Sequence, residues 1–413
     1  MTAGLPRIAA RQSQIRRCCR EIYGLRRCGA GEKAMMRLSI MVGLVLASSA
    51  VRAGGIPYAS SADIPDYVAT MTAEEMWGKS TGSQTRIVTQ HGGWVRVDEQ
   101  QATIYGNPAK QTSIVIRPHP EASYSSVLIY REIPASSLGV RGTSQTGQTE
   151  MHAGESCTVR KFLRGDPDRM KNGPQWLSCL TADGIEIGAR VLGDGGSPEE
   201  QVTLVRLERR PVSTEEVSPP ADLLDVAQWL HFDDKSAQDA TAVEQSPDYA
   251  LHMHSADATR TVRRHDAWTY DERSYADGRR YLIIWNDQTG QQLSFNTLKG
   301  GAFEHLSMLQ RYLPGQRIIL PDGRGLAGAP KSTGKNSSVM GEPCAWFDMT
   351  PNMEDGSLHH CLRQDGIPLK IRTGGLGPSE EFVADEVQRR DLKTEEILPP
   401  ADVLTRSSWD FPE

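Results

Sequence analysis

Gly78-Lys79-Ser80-Thr81-Gly82 fits the G-x-S-x-G string, in which a strained turn lifts a serine hydroxyl over an oxyanion hole. That chemistry needs a strand before the serine and a helix after it. Here Glu74-Glu75-Met76-Trp77 precedes and the strand-like Gln84-Thr85-Arg86-Ile87-Val88 follows, so a polar hairpin turn is the simpler account and a Ser80 hydrolase the remote one. A phosphate-wrapping loop needs a glycine five positions before its Gly-Lys. Position 73 is Ala73, and Gly334-Lys335-Asn336 fails in the same way at Ala329. Imidazoles are the other candidates. His252 and His254 alternate as on a strand and His359-His360 abut Cys361, a set that suits a metal ion. In matching text earlier in the chain the same places hold Ala69, Met71, Leu177 and Ser178, so surface histidines are the simpler account. No catalytic residue, metal or cofactor is expected.

The elements that carry these residues belong to a chain of 413 residues with 52 acidic and 46 basic side chains, a net charge of −6. Residues 1–53 hold ten Arg/Lys against Glu21 and Glu32, which leaves the remaining 360 residues at −14. Affinity for a polyanion comes mostly from Lys and Arg neutralising phosphates, so a body this acidic is no nucleic-acid binder. Arg37 precedes the apolar run Leu38 to Ala47, and Val51 and Ala53 supply small residues at the exit, the pattern of a secretory signal peptide over 35–53. Counted through the small residues to Ala50 that run is about 13 long, shorter than the ~20 a spanning helix needs, so export rather than membrane anchoring is expected. Residues 1–34 then read as an over-extended frame, with translation starting at Met35 or Met36.

The rest is written twice. Pro65-Asp66-Tyr67 recurs as Pro247-Asp248-Tyr249, and Trp94 as Trp268. Gly154-Glu155-Ser156-Cys157 recurs as Gly341-Glu342-Pro343-Cys344, and Cys179 with Asp183-Gly184-Ile185 as Cys361 with Asp365-Gly366-Ile367. Arg209-Arg210, Thr214-Glu215-Glu216, Pro219-Pro220-Ala221-Asp222 and Trp229 return as Arg389-Arg390, Thr394-Glu395-Glu396, Pro399-Pro400-Ala401-Asp402 and Trp409. The unit exceeds the ~20–50 residues of a solenoid repeat, so each copy is expected to be a domain with its own core, over 54–232 and 246–413, joined by a polar linker at 233–245. Equivalent domains carry equivalent bridges, which pairs Cys157 with Cys179 and Cys344 with Cys361.

Short β-branched runs dominate both copies, among them Thr112 to Ile116, Val127 to Tyr130, Thr203 to Leu207, Tyr281 to Trp285, Arg317 to Leu320 and Leu369 to Arg372. Separated by Gly, Pro, Asn and Asp, they predict antiparallel strands. Asp183-Gly184 and Asp365-Gly366 predict hairpins beside the bridges. The best helical spacing is Phe303, Leu306, Leu309 and Tyr312, which predicts a helix over 302–312. The expected fold class is mainly antiparallel β with few helices (α+β), as two tandem curved sheets.

The Pro-Asp-Tyr start, the Gly-x-x-Cys … Cys … Asp-Gly-Ile-Pro-Leu-Lys hairpin and the Glu-Glu-Ile-Leu-Pro-Pro close resemble the periplasmic half-barrel domains related to the outer-membrane lipoprotein carriers (LolA/LolB-like), over 154–224 and 341–404. Carriers proper have one such domain and a helical lid, whereas this chain has two copies and little helix. The resemblance implies curved sheets that cradle acyl chains or bind envelope proteins. Trp94, Trp268 and Trp285 would line such a cradle, or else form the cores of the copies. The expectation is an exported, soluble, periplasmic, non-enzymatic binding protein that holds an acyl-bearing lipid or lipoprotein and does not span the membrane. The alternative is a protein–protein module whose two copies clamp an envelope partner.

Overall fold

A computed structural model describes residues 64–75, 82–107, 110, 112–117, 126–131, 140–164, 175–192, 198–226, 229–230, 247–286, 291–309, 330–350, 356–375 and 379–412. The upstream extension, the signal segment, Ser80, the linker and the strand expected at Arg317 to Leu320 lie outside the described residues.

Alternating apolar and polar residues bounded by turn chemistry build strands throughout. The first copy contributes β1 (Tyr67–Glu75), β2 (Gly82–His91), β3 (Trp94–Asp98), β4 (Thr103–Asn107), β5 (Thr112–Arg117), β6 (Ser126–Arg131), β7 (Val140–His152), β8 (Glu155–Arg164), β9 (Gln175–Leu180), β10 (Glu186–Leu192) and β11 (Pro198–Glu208). The second contributes β12 (Tyr249–His254), β13 (Ala258–His265), β14 (Trp268–Tyr275), β15 (Arg280–Asn286), β16 (Gln292–Thr297), β17 (Phe303–Leu309), β18 (Lys331–Val339), β19 (Glu342–Asp348), β20 (Gly356–Leu362), β21 (Pro368–Gly375) and β22 (Glu380–Gln388). A single α-helical turn, α1 (Thr214–Val217), and 3-10 turns at Thr394–Glu396, Ala401–Leu404 and Arg406–Trp409 complete the described elements.

All pairings are antiparallel, and together they make one open sheet of 22 strands. In the first copy β7 to β11 lie side by side, β11 pairs with β1, and β1 to β6 follow in order. The second copy repeats this, with β18 to β22, then β12, then β13 to β17. The arrays join where β6 pairs with β17. Ile114 and Ile116 of β5 oppose Ile129 and Val127, as Leu293 and Phe295 of β16 oppose Met308 and Leu306. Val127 thus corresponds to Leu306, and Ile129 to Met308. At the seam Val127 opposes Met308 and Ile129 opposes Leu306, so the copies meet as the subunits of a two-fold dimer do.

Of the segment expected as a helix over 302–312, the described part forms strand β17 instead. Leu306 and Met308 are fully buried on one face while His305 and Ser307 take the other, and strand neighbours on both sides satisfy its backbone. Two partners outweigh a chance three-residue spacing.

Three apolar cores result. One gathers β1 to β5 and β8 to β11 of the first copy around Tyr67, Ala69, Val88, Val95, Val97 and Cys157, and another gathers the second copy around Leu251, Met253, Cys344, Ile371 and Phe382. The third is common to both copies, with Trp94, Ile114 and Val127 beside Trp268, Ile284 and Leu306. Each copy's closing segment covers this shared core: Val217, Leu223 and Trp229 from the first, Ile397, Val403 and Trp409 from the second. The two tryptophans are held alike. Trp229 Nε1 donates to Leu223 O at 2.8 Å, and Trp409 Nε1 to Val403 O at 2.9 Å. The second closing segment also reaches the other copy, since Arg406 Nη1 donates to Pro220 O at 2.8 Å and Arg131 pairs with Asp410 at 2.7 Å.

Disulfides link Cys157 to Cys179, on paired strands β8 and β9, and Cys344 to Cys361, on paired strands β19 and β20. The hairpins after them close with matching bonds, Gly184 N to Thr181 O at 3.0 Å and Gly366 N to Arg363 O at 2.9 Å, with both glycines at positive φ. The outermost strands β7 and β18 carry a duplicated bulge: Thr146 Oγ1 donates to Val159 O at 2.9 Å and Thr333 Oγ1 to Trp346 O at 3.0 Å. Bulged, polar edges discourage pairing with another chain.

Candidate functional site

Side chains alternate across a strand, so β3 to β6 and β14 to β17 present one face to the shared core and one away from it. On the core face, Trp94 and Trp268 start β3 and β14 and are 5% and 3% exposed beneath the closing segments. Trp285 of β15 is as deeply buried but lies on the other face, opposite Thr269 and Gln292. The structure therefore does not bring the three tryptophans to one site. The place equivalent to Trp285 in the first copy is Gly106, in register with Val95.

On that opposite face the copies have diverged. The ladder Val88, Val97, Ile104, Val115 and Leu128 crosses β2 to β6 of the first copy. Its first four members are nearly inaccessible and pack with Ala69 and Val202. The matching ladder of the second copy reads Val262, Asp271, Ile283, Ser294 and Ser307. Ile283, Ser294 and Ser307 keep partial solvent contact. Beside it runs a second row, Arg260, Arg273, Tyr281, Asn296, His305 and Tyr130, which crosses the seam into the first copy. All but Arg260 are partly accessible. One copy is thus sealed by its own apolar residues, and the other offers a half-exposed strip of aromatic, aliphatic and polar groups.

A buried arginine sits at one position in both copies, opposite Met71 as Arg86 and opposite Met253 as Arg260. Burying a guanidinium requires partners. Arg86 has two carboxylates, Glu99 at 2.7 Å and Glu200 at 3.1 Å. Close by, Ser178 Oγ donates to Glu186 at 2.6 Å, and burial pushes the Glu186 carboxyl up to about 7. In the second copy the position of Glu99 is Arg273 and that of Val97 is Asp271. Arg260 grips Asp271 bidentately, Nε to Oδ1 at 2.9 Å and Nη2 to Oδ2 at 2.6 Å. Burial would raise the Asp271 carboxyl, but the charges of Arg260 and Arg273 outweigh it and hold the group below the usual carboxylate range. His360 of β20 adjoins this pair. Burial, with the Arg260 charge next, pushes its imidazole down to about 3, so it is neutral. Burial likewise pushes His305 to about 4.

Sequence reasoning missed these arginines because a charged residue within a strand reads as a solvated face. The signal was present: Thr85-Arg86-Ile87-Val88 and Thr259-Arg260-Thr261-Val262 match at three of four places. His252 and His254 flank Met253 on β12 and so lie on the other side of the sheet from it. They bond to Thr261 and Asp385, not to His360, and their counterparts in the first copy are Thr70 and Thr72, which flank Met71, rather than Ala69 and Met71. Two groups among the described residues place metal-ligating atoms together. In one, His152 lies beside Cys157 and Cys179, whose sulfurs are bridged and supply no thiolate. In the other, Asp248 is occupied in capping: it accepts from Leu392 N at 3.1 Å and His265 Nδ1 at 2.7 Å, as Asp66 accepts from Val212 N and His91 Nδ1, both at 3.0 Å. A small polar depression, lined by Glu150, His152, Ser178, Arg190 and Gln201, lies beside the first bridge.

No family model and no curated protein matches this sequence. Among solved structures, MucB is similar at 9% identity and a TM-score of 0.27, over 63% of this chain and 93% of that one. A LolA superfamily protein from Nitrosomonas europaea is similar at 9% identity and 0.22, over 40% and 94%. An uncharacterized conserved protein from Thermus thermophilus is similar at 10% identity and 0.28, over 40% and 91%. The resemblance is weak, and the assignment as an open antiparallel-β protein rests on the strand pairings themselves. No helix among the described residues is long and apolar enough to cross a membrane.

Proposed function

We propose that this chain is an exported, non-enzymatic binding protein of the cell envelope, whose second copy holds an acyl-bearing lipid or lipoprotein on the sheet face turned away from the shared core. The two copies act as distinct units, the first as a sealed support and the second as the receptor. The observation that carries this reading is the divergence of equivalent ladders: Ile104 and Val115 are buried where Ile283 and Ser294 are partly accessible, and buried Val97 gives way to the buried, ion-paired Asp271. The strip from Arg273 to Tyr130 crosses four strand intervals, ~19 Å at ~4.8 Å each, a run suited to an extended chain. Tyr281, Ile283 and Tyr130 supply apolar contact along it, and the disulfides suit an oxidising compartment.

Native mass spectrometry of the protein purified from its own envelope, followed by solvent extraction, tests this. Co-purifying mass that extracts as lipid is the expected result, and a bare mass from every preparation overturns it. A second reading, a protein–protein module, draws on Ile87 and Val205 of the first copy, 41% and 56% exposed on strands either side of β1, where the second copy has Thr261 and Asp385. Two apolar side chains make a small patch, and the strip is the larger feature.

A further inference from the structure

Arg260 spends Nε and Nη2 on Asp271, and its third nitrogen, Nη1, is buried with no hydrogen-bond partner among the described residues. The Arg260 side chain is 4% exposed. His360 is 8% exposed, and its Nε2 also lacks a partner. Arg273 has no ion pair among the described residues, and its guanidinium and that of Arg260 lie 5.8 and 5.5 Å from the ring centre of the same residue, Phe382. The nearby Glu380 is engaged elsewhere, accepting from Tyr275 Oη at 3.1 Å and Ser255 Oγ at 3.3 Å. At the equivalent place in the first copy the guanidinium charge is balanced, because Glu99 and Glu200 both face Arg86, although Arg86 Nε makes no hydrogen bond there either. Exchanging Glu99 for an arginine removes a carboxylate and adds a cation. Buried donors without acceptors are costly, and an anionic oxygen supplies what they lack.

We infer that Arg260, Arg273 and His360 form a receptor for the oxyanion group of the ligand, a carboxylate or a phosphate. Arg260 Nη1 and the Arg273 fork donate to its oxygens, and neutral His360 donates through Nε2. Asp271 holds Arg260 in place and prevents the site from accumulating uncompensated charge when empty. Arg273 pairs in register with Tyr281, so the head of an amphiphile would sit at one end of the strip and its chain would run toward Tyr130. This assignment of a head group rests on the amphiphile reading, whereas the anion site itself does not.

Titration calorimetry at one ionic strength with dodecanoate, dodecyl phosphate, dodecanol and inorganic phosphate separates the two. The expected result is binding of both charged amphiphiles about tenfold or more tighter than dodecanol. Arg273→Gln, at a partly exposed site where folding is checked by thermal melting, abolishes that difference and leaves dodecanol unchanged. Equal affinity for dodecanol and dodecanoate, or a head-group preference untouched by Arg273→Gln, overturns the receptor while leaving amphiphile binding intact. Arg273-dependent binding of inorganic phosphate with no amphiphile bound upholds the anion site and overturns the acyl reading. Absence of binding by all four probes overturns both.

Discussion

Glu186 tests whether the first copy is as sealed as its ladder implies. Its carboxyl accepts from Ser178 Oγ, and burial lifts it from an ordinary 4.5 to about 7. Between those values the folded protein keeps a proton that the unfolded chain has released. Stability therefore falls as pH rises through that window, and the loss is complete above it. The full gap corresponds to roughly 3 kcal/mol at 1.36 kcal/mol per pH unit. Glu186 keeps some solvent contact, so about 1–3 kcal/mol is expected. Glu186→Gln mimics the protonated form. Urea unfolding followed by tryptophan fluorescence should find it equal to the parent at pH 4.5 and more stable by that amount at pH 8. His305 and His360 act in the opposite sense, since their pKa values of about 4 and 3 mean that stability is lost as pH falls below about 6.5. Both proteins share that loss, and the difference between them cancels it. A variant no more stable than the parent at pH 8 would refute the sealed environment.

Three further outcomes follow from the same structure. Asp271→Ala strands the buried Arg260 charge and should cost about 3–5 kcal/mol in urea unfolding, whereas Asp385→Ala at the exposed surface should cost less than about 1 kcal/mol. Trp229→Phe and Trp409→Phe each leave a buried carbonyl, Leu223 O or Val403 O, without its donor, and should lower stability by similar amounts of about 1–3 kcal/mol by calorimetry. Replacing either cysteine pair by alanine should cost about 3 kcal/mol, since each bridge closes a loop of 22 or 17 positions.

Local features of the sequence were enough to place several strands, β5, β6, β11, β15 and β21 among them, because β-branched runs between turn residues are themselves the physical cause of pairing. Internal repetition selected the two disulfides from three possible connectivities, and the Asp-Gly hairpins followed from backbone chemistry at Gly184 and Gly366. The seam was not legible. Pairing β6 with β17 joins residues about 180 positions apart, and nothing local in Val127 to Tyr130 distinguishes a partner within its copy from one beyond it. The helix expected at 302–312 failed for the same reason, since its second partner is that distant strand. Trp94 and Trp268, repeated and aromatic, looked equally suited to a ligand wall or a core, and only the closing segments that cover them place them in the shared core. Arg86 and Arg260 were hidden by their charge, and the contrast between Glu99 and Arg273 gains meaning only once both are seen to face a buried guanidinium.

The claim at the centre of this account is that the second copy's face, not the first's, receives the ligand. Irradiating the protein with a photoreactive fatty acid and mapping the labelled peptides by mass spectrometry tests it most directly. The account predicts label on β14 to β17, around Tyr281, Ile283 and His305, with β2 to β4 unlabelled. Label concentrated on β2 to β4, or spread evenly over both copies, would contradict it.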